Sequence, residues 1–252
     1  MTIPRIYSTE ILESKKSIQL PEDNLKYLKA VMRLKPGGKI IVFDGYGSEF
    51  EAIIEDFSVN GIGVKLGKQI PRENKKIKIS LAQALPKATK MDLIVKSAAE
   101  LGVDLIIPFT AARSVSRIDT DRAAQKIKRW QKIAMEASRA SRSGTITEVE
   151  NIASLESAIK FADDRSAKMI FWEEEEKTAI KNALTDKSLD ACKNYFIIVG
   201  PEGGFSKDEV TMAKKAGFKS VGLGRQILKV ETAAAAIISI IQYEKGIFSH
   251  KS

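Results

Sequence analysis

The chain contains very little cysteine or histidine, and this scarcity excludes several kinds of site. Cys192 is the only cysteine and His250 the only histidine among the 252 residues. A disulfide framework or a thiolate metal cluster is therefore excluded, and we expect a protein of a reducing compartment. A catalytic triad, a zinc site or a general base that depends on histidine inside the fold is excluded too, since His250 stands among the last residues. We expect no bound metal.

Long apolar runs are missing as well. The longest one, residues 233–238 with their neighbours, is too short and too rich in alanine to span a bilayer. No signal-peptide pattern precedes residues 4–7. We therefore expect a cytoplasmic protein without a membrane partner.

Acidic residues are too few to balance the basic ones. The 41 lysines and arginines exceed the 32 aspartates and glutamates, which gives a formal charge of +9, and this favours a polyanionic partner. Much of the excess lies between residues 113 and 142. The basic residues there are Arg113, Arg117, Arg122, Lys126, Lys128, Arg129, Lys132, Arg139 and Arg142. For any single one of them, a solvated helix face remains the alternative.

The first 70 residues predict a small β-rich domain. Strands are expected at residues 39–43, 49–54 and 62–66, where short apolar runs end at glycine turns. A helix is expected after Pro21, with apolar residues at helical spacing. Residues 71–76 are polar and carry no apolar period, so we place the domain boundary there, between residues 1–70 and 71–252. A purely structural role for the first domain remains an alternative.

In residues 71–252, strand and helix patterns alternate. This alternation predicts an α/β domain with a mostly parallel sheet covered by helices on both faces. The expected strands are residues 77–85, 103–109 and 168–172, and the expected helices are residues 91–101, 121–139 and 177–184. Weaker patterns occupy residues 146–149 and 154–161.

Two consecutive strands near the end of the chain each run into a glycine loop and then a helix. The first strand is residues 196–199, its loop begins at Gly200, and Ser206 and Glu209 have capping-box spacing for the helix that follows. The second unit has a strand at 218–223, a loop at 224–229 and a helix at 231–243. Neither G-x-G-x-x-G nor a P-loop motif is present. Paired loops at the carboxyl ends of parallel strands favour a ligand site, although turn punctuation alone would also explain the glycines.

The segments VGPEGGFSKDEV and LGRQILKVETAAAAI resemble the paired signature of the ribosomal RNA small subunit methyltransferase E family, part of the SPOUT superfamily. The segments PRIY, RLKPGGKIIVFDG, KMDLIVKSAAELGVDLIIPF and RWQKIAMEAS agree in the same order, so the resemblance covers nearly the whole chain. It implies a PUA-like β-barrel RNA-binding domain followed by a SPOUT methyltransferase domain. The trefoil knot of the last elements is implied by the resemblance alone, because knots are very rare in protein folds and no sequence pattern predicts one here.

The resemblance implies transfer of a methyl group from S-adenosyl-L-methionine to N3 of a specific uridine in 16S rRNA of the small ribosomal subunit. The implied cofactor-binding residues are Trp172, Val199, Gly200, Glu202, Gly203, Leu223, Gly224, Ile227, Leu228, Thr232 and Ala233. The candidate catalytic residues are Arg225 and Lys229, which would stabilise a uridine anion, and the carboxylate Glu231, with Glu202 also nearby. The candidate RNA-binding residues are Arg5, Arg33, Lys87, Lys90, Arg113, Arg139 and Arg142.

Two segments depart from the family pattern. A Glu-Gln pair and a nearby arginine usually follow the long helix, whereas this chain has Arg139, Ala140 and Ser143 in that region. Gln226 and Lys229 stand where arginines are common, and lysine lacks the bidentate fork of arginine. These changes affect the expected RNA contacts and the choice of nucleotide. A methyltransferase acting on another RNA, such as tRNA, and an RNA-binding or assembly protein without chemistry therefore remain alternatives.

The last helix is apolar around most of its circumference. Small side chains at residues 233–236 and large ones at Ile237, Ile238, Ile240 and Ile241 offer more apolar surface than one sheet face needs. Together with the resemblance to SPOUT enzymes, which implies pairing through such helices, this leads us to expect a homodimer that pairs through this helix. Burial of the helix within its own domain remains the alternative.

Overall fold

The computed structural model describes residues 3–58, 61–71, 75–114, 120–189 and 192–248, except for the side chains of Thr120, Asp121 and Ser188. The chain divides into two compact units. The first comprises Met1–Asn74 and Ser138–Ile146, and the second comprises Lys75–Ala137 and Thr147–Ser252. Part of the expected linker, residues 72–74, lies outside the described residues, as does His250.

The first unit is a curled five-stranded sheet with the order β1-β3-β4-β5-β2. Its strands are β1 (Arg5–Tyr7), β2 (Ser17–Leu20), β3 (Lys39–Phe43), β4 (Glu49–Ser58) and β5 (Gly61–Gln69). All neighbours pair antiparallel except β1 and β3. Side chains at alternate positions of the strands point into the core. Examples are Ile6, Val42 and Ile54, which are fully buried. The predicted β-rich domain is confirmed, and β4 and β5 are longer than expected.

The helix expected after Pro21 is short and irregular. Helix α1 covers Asp23–Leu25 and continues as a π-helical turn at Lys26–Val31. Leu28 is the fully buried residue of this segment and packs against the sheet. Leu25 and Tyr27 are partly buried and pack against the same core.

Residues 138–146 return to the first unit, which the single predicted boundary did not anticipate. The Ile146 N–H donates to the Gly45 carbonyl at 3.1 Å, and Thr145 forms a β-bridge with Tyr46. Because these partners are far apart in sequence, no local pattern could reveal the return. The segment that departs from the family pattern therefore belongs to the β-rich unit.

The second unit contains a parallel sheet with the order β12-β10-β11-β6-β7-β8, and β9 also pairs with β7. Its strands are β6 (Lys78–Ala84), β7 (Leu105–Thr110), β8 (Glu148–Val149), β9 (Ala153–Ser154), β10 (Ala167–Phe171), β11 (Asn194–Val199) and β12 (Lys219–Val221). Its helices are α2 (Lys90–Glu100), α3 (Thr120–Ala140), α4 (Leu155–Ile159), α5 (Ile180–Leu184), a 3-10 turn at Lys187–Leu189, α6 (Lys207–Lys215) and α7 (Val230–Glu244).

Helices cover both faces of this sheet, as the alternating pattern predicted. One core contains residues of α2, α3, α5 and α7 packed on one face, and the other contains residues of α4 and α6 packed on the opposite face. The bounds of α3 and α7 differ from the predicted ones by only one residue at each end. In the described part of the chain, every helix is too short or too polar to cross a membrane.

The carboxyl ends of five strands stand in one row. Val221 pairs in register with Phe171, Phe171 with Val199, Val199 with Gln83, and Gln83 with Pro108. Each chain segment that leaves this row therefore begins at the same edge of the sheet. In open α/β sheets, this is the edge that binds ligands.

Candidate functional site

The first loop, residues 200–206, connects β11 to α6 and packs against its own chain. The ring of Phe205 is 1% exposed and stacks on Phe109, with 6.4 Å between centroids. Gly204 has φ +66° and donates its N–H to the Pro201 carbonyl at 2.9 Å. A β carbon at Gly200 would lie 3.0 Å from the Phe205 ring. The glycines therefore allow a tight turn that folds back on a buried aromatic ring.

The loop is anchored where α6 begins. Ser206 and Glu209 form the capping box that their spacing predicted, which confirms that expectation. The Glu209 carboxylate also accepts a 2.8 Å hydrogen bond from the Ala112 N–H, beyond the end of β7. Glu209 is only 8% exposed, so this one carboxylate ties the first loop to the neighbouring loop.

Arg113 also touches the first loop. Its Nη1 donates to the Gly203 carbonyl at 3.0 Å, and its β carbon lies 3.1 Å from the place of a β carbon on Gly203. We expected Arg113 to bind RNA, and the structure places it against a predicted cofactor-binding residue. Arg113 remains exposed, and a guanidinium has five N–H donors, of which this contact uses one.

Gln83 is a site residue that the sequence reasoning missed. Its side chain is fully buried at the end of β6, and Nε2 donates to the carbonyls of Ala84 at 2.9 Å and Gly200 at 3.4 Å. Its Oε1 is buried without a hydrogen-bond partner in the described part of the chain. The available signal was a polar amide inside the apolar strand LAQAL, since buried polar side chains usually have a specific partner.

A cluster of three charged residues links the first loop to the start of α7. The Lys90 ammonium lies 2.8 Å from Glu202 Oε1 and 3.7 Å from Glu231 Oε2. Both oxygens of Glu202 also accept from the Lys87 N–H at 3.2 Å. We expected Lys90 to contact RNA and Glu231 to act in catalysis, and the structure joins them.

The pKa values of Lys90 and Glu202 are both shifted in the direction that favours the charged form. Hydrogen bonding to Glu202 raises the pKa of Lys90 above its ordinary value. Partial burial raises the pKa of Glu202, but the hydrogen bonds from Lys90 and from backbone N–H groups outweigh it and bring the pKa below its ordinary value. Glu202 is therefore ionised at neutral pH and is a weak candidate for a general base.

The second loop, residues 222–229, has a firm start and an exposed remainder. Gly222 donates to the Thr178 carbonyl at 2.8 Å and accepts from the Ile180 N–H at 3.1 Å. A β carbon on Gly222 would stand 2.2 Å from the Glu175 carbonyl oxygen, so only glycine fits there. The loop is thus fixed against the segment that follows β10.

Beyond Gly222 the loop is held only loosely. Within the described chain, residues 223–228 take part in no backbone hydrogen bond. Leu223 and Leu228 are half-buried, whereas the side chain of Ile227 is 92% exposed. The other exposed residues of the predicted site here are Gly224, Arg225, Lys229 and Thr232, with Gln226 also exposed and Ala233 half-buried. The predicted cofactor residues of this loop therefore have backbone N–H and C=O groups and small apolar surfaces that a ligand could contact.

Glu175 is one of the four consecutive glutamates, residues 173–176, that follow β10. Glu175 is half-buried. Its carboxylate accepts hydrogen bonds from the Ser220 hydroxyl and from the backbone N–H groups of Lys177 and Thr178. The Ser220 hydrogen bond is the main reason that the pKa of Glu175 lies below its ordinary value. Glu175 therefore stabilises the turn that supports the second loop.

Trp172 lies at the same edge, at the end of β10. The backbone N–H of Trp172 donates to the Val221 carbonyl at 3.0 Å, and the Lys214 ammonium is 5.9 Å from the centre of the indole ring. Its indole Nε1 is buried without a hydrogen-bond partner in the part of the chain described. The ring packs against the core that contains α6, on the other face of the sheet from the α2 and α7 core.

The basic residues expected to bind RNA fall into both units. Arg33, Arg139 and Arg142 belong to the first unit, where Arg33 and Arg142 are exposed and Arg139 lies over the Tyr27 ring at 5.4 Å. Lys87, Lys90 and Arg113 belong to the second. Arg117 lies outside the described residues.

Arg5 has a structural role instead of an exposed one. Its side chain is 9% exposed, its Nε donates to Glu49 at 2.9 Å, and its guanidinium lies 4.7 Å from the centre of the Phe43 ring. Two further donors reach the carbonyls of Arg139 and Ser143 at 3.4 Å. The guanidinium is therefore committed to its own chain, which explains why the expected phosphate contact does not suit it.

Helix α7 is buried within its own unit on one side only. Ile237, Ile238 and Ile241 are fully buried, whereas Ile240 is 37% exposed and Tyr243 is largely exposed. The exposed face of α7 is thus the part left for the expected pairing.

Among the described residues, no group of three His, Cys, Asp or Glu side chains is arranged to hold a metal ion.

Comparison with known families identifies both units. A family model for an RNA methyltransferase domain matches residues 72–242, and a model for an RNA methyltransferase PUA domain matches residues 20–58. The first match covers the parallel sheet and both glycine loops.

Whole proteins match over the same span. The ribosomal RNA small subunit methyltransferase E of Bacillus subtilis is 30% identical over 92% of both chains, and that of Rickettsia conorii is 31% identical over 96% of both. The crystal structure of the Neisseria gonorrhoeae enzyme of this name, bound to S-adenosyl methionine, has a TM-score of 0.84 and 27% identity, covering 96% of this chain and 98% of that one. This chain therefore belongs to the ribosomal RNA small subunit methyltransferase E family.

Proposed function

We propose that this chain transfers a methyl group from S-adenosyl-L-methionine to N3 of a specific uridine in the 16S rRNA of the small ribosomal subunit. The observation that carries the proposal is the row of strand ends from Val221 to Gln83, from which both glycine loops begin. Membership in the family and the cofactor named for the Neisseria gonorrhoeae relative support the same reaction.

The residues at this edge suit S-adenosyl-L-methionine. The half-buried side chains of Leu223 and Leu228 offer apolar surface for an adenine ring, beside backbone groups of the second loop. Gln83 Oε1 is a buried acceptor without a hydrogen-bond donor in the described chain, and the cofactor carries amino and hydroxyl donors. When bound, the cofactor supplies an electrophilic methyl group.

Catalysis would consist mainly of positioning. The uridine must leave its stack so that N3 lies in line with the methyl group, and N3 must lose its proton. Arg225 and Lys229 are exposed on the second loop, where a cation would stabilise the negative charge that develops on the uridine. Glu202 and Glu231 are held by Lys90, so we assign them to the geometry of the loops and leave the proton to a solvent base.

The first unit would provide salt-dependent RNA affinity. Arg33 and Arg142 are exposed, and Arg139 lies three residues before Arg142 in the chain. Each neutralised phosphate releases counterions, so replacing Arg139 and Arg142 together by alanine should lower the salt slope of RNA binding by about one unit for each phosphate that is no longer neutralised. An unchanged slope would assign both arginines to a solvated surface.

We further propose that the elements from β11 to α7 form the trefoil knot of the SPOUT superfamily. Family membership supports this, together with the placement of β12 beside β10 instead of β11. A crystal structure traced through residues 194–244 checks the threading of α7. An unthreaded path would contradict the knot.

A homodimer that pairs through α7 completes the proposal. The exposed side chains of Ile240 and Tyr243 offer an apolar face on this helix, and a two-fold axis would bury it in both copies. Ile240→Asp should give monomers by light scattering. Met212→Asp on α6, where the side chain is 41% exposed, is the matched control and should leave the dimer intact. A parent chain that is monomeric and methylates RNA would contradict the dimer.

Mapping the modified nucleotide tests the reaction directly. The chain is incubated with S-adenosyl-L-methionine and either small-subunit rRNA or small ribosomal subunits, and the methylated position is located by primer extension and mass spectrometry of nucleosides. We expect 3-methyluridine at one position of 16S rRNA. If only tRNA is methylated, the substrate is tRNA and the proposed rRNA substrate is wrong. Cofactor binding without methyl transfer to any RNA would favour an assembly protein.

A further inference from the structure

Lys90 stands at the start of α2 and contacts two other segments of the second unit. Its ammonium is 2.8 Å from Glu202 on the first loop and 3.7 Å from Glu231 in the first turn of α7. The second loop ends immediately before α7, at Lys229. One side chain therefore connects the first loop to the end of the second.

The neighbouring Lys87 provides a contrast within the same short segment. Its backbone N–H donates to both oxygens of Glu202, but its ammonium makes no ion pair or hydrogen bond in the described chain, and its side chain is exposed. Lys87 is therefore available to a phosphate. The Lys90 ammonium already faces two carboxylates, which makes it a poor phosphate ligand.

Removing Lys90 would leave two carboxylates without their shared cation. Glu231 Oε2 is buried and has no hydrogen-bond donor in the described residues, so the Lys90 ammonium is its compensating charge. Like charges that lie close together repel, and a buried carboxylate without a partner is costly. The expected response is separation of the two segments that Lys90 holds.

We propose that Lys90 is a positioning residue that holds Glu202 and Glu231 together, so that the first loop and the start of α7 keep the geometry required for cofactor binding. This inference rests on the proposed function, because it assigns Lys90 to the cofactor site of that reaction. It also replaces the RNA contact that the sequence suggested for Lys90.

Calorimetry with S-adenosyl-L-methionine and RNA titrations from about 50 to 200 mM salt test the assignment. Lys90→Met should weaken cofactor binding by about tenfold and leave the salt slope of RNA binding unchanged. The matched control Lys87→Met should keep the cofactor affinity and lower the salt slope by about one unit. Lys90→Arg keeps the charge and should restore most of the cofactor affinity.

A double-mutant cycle separates positioning from a general loss of structure. If Lys90 acts through Glu231, the double variant Lys90→Met with Glu231→Gln should bind the cofactor about as well as the weaker single variant, so the two effects do not add. Full additivity would overturn the inference. Equal cofactor affinity of Lys90→Met and the parent would also overturn it, as would a reduced salt slope in Lys90→Met. A parent chain without cofactor affinity would overturn the proposed function and, with it, this inference.

Discussion

The two glycine loops leave the same edge of the sheet, but their own chain holds them to different extents. The first loop is tied by Glu209, Arg113 and Gln83, and it buries the Phe205 ring. The second loop is fixed at Gly222, and beyond it the described chain supplies residues 223–228 with no backbone hydrogen bond. The first loop is therefore fixed by its own chain, whereas residues 223–228 of the second loop are not fixed by backbone hydrogen bonds of the described chain.

This difference separates stability from binding. Changes to Glu209 or Gln83, the buried ties of the first loop, should affect the folded state itself, because they leave buried polar groups without partners. Changes to the exposed part of the second loop should affect binding with little effect on folding.

Glu209→Ala should lower the free energy of unfolding by about 3 kcal/mol, because the N–H groups of Ala112 and Ser206 both lose a charged acceptor. Urea unfolding followed by circular dichroism measures it. Asp208→Ala, at an exposed position in the same helical turn, is the control and should change stability by less than about 0.5 kcal/mol. Equal effects in the two variants would remove the special role of the Glu209 carboxylate.

Gly203→Val should weaken cofactor binding at least about a hundredfold, equivalent to about 2.7 kcal/mol, because the branched side chain pushes Arg113 aside and covers exposed backbone. The free energy of unfolding should fall by no more than about 1 kcal/mol, since the position is exposed. Calorimetry and urea unfolding give the two values.

Arg113→Met is the companion variant, because it removes the hydrogen bond to the Gly203 carbonyl without adding bulk to the loop. A smaller loss of cofactor affinity than in Gly203→Val is expected. Unchanged binding in Gly203→Val would show that the first loop does not line the cofactor site.

Gly222→Ala should destabilise the second unit by about 2 kcal/mol, because the new methyl group would meet the Glu175 carbonyl oxygen, which belongs to the backbone and has little freedom to move. Thermal and urea unfolding measure the change. Gly224→Ala tests the exposed part of the same loop, where a β carbon meets no atom within 4 Å and the cost comes from φ +100° alone. A larger loss in Gly224→Ala than in Gly222→Ala would reverse our description of this loop.

Ile227→Ser should change the free energy of unfolding by less than about 0.5 kcal/mol, since the side chain is almost fully exposed. Cofactor affinity should fall by about threefold to tenfold if the loop closes over the ligand and buries this side chain. Met212→Ser on α6 serves as the control for loss of an exposed apolar side chain, and it should leave cofactor affinity unchanged. Unchanged binding in both variants would place Ile227 outside the site.

The elements of the fold were largely predictable because their signals are local. Apolar periods, glycines and the Ser206 and Glu209 spacing act within a few residues, and they predicted the alternation of strands and helices and the start of α6. The π-helical turn at Lys26–Val31 was missed, because the same spacing of apolar residues suits a regular helix. Family resemblance added the predicted cofactor residues, which spacing alone left open.

Local patterns in the chain were enough to predict most elements of the second unit, their order and the two glycine loops at the ends of parallel strands, whereas β1, β2 and the π-helical turn of the first unit were not predicted. The folded arrangement was needed to show which charged residues are committed to their own chain, as Arg5 is to Glu49 and Lys90 is to Glu202 and Glu231. It also brought residues 138–146 to the β-rich unit and left Gln83 Oε1 without a donor among the described residues. The reason is that ion pairs and buried hydrogen bonds join residues distant in the chain, so their partners exist only once the sheet has set its register.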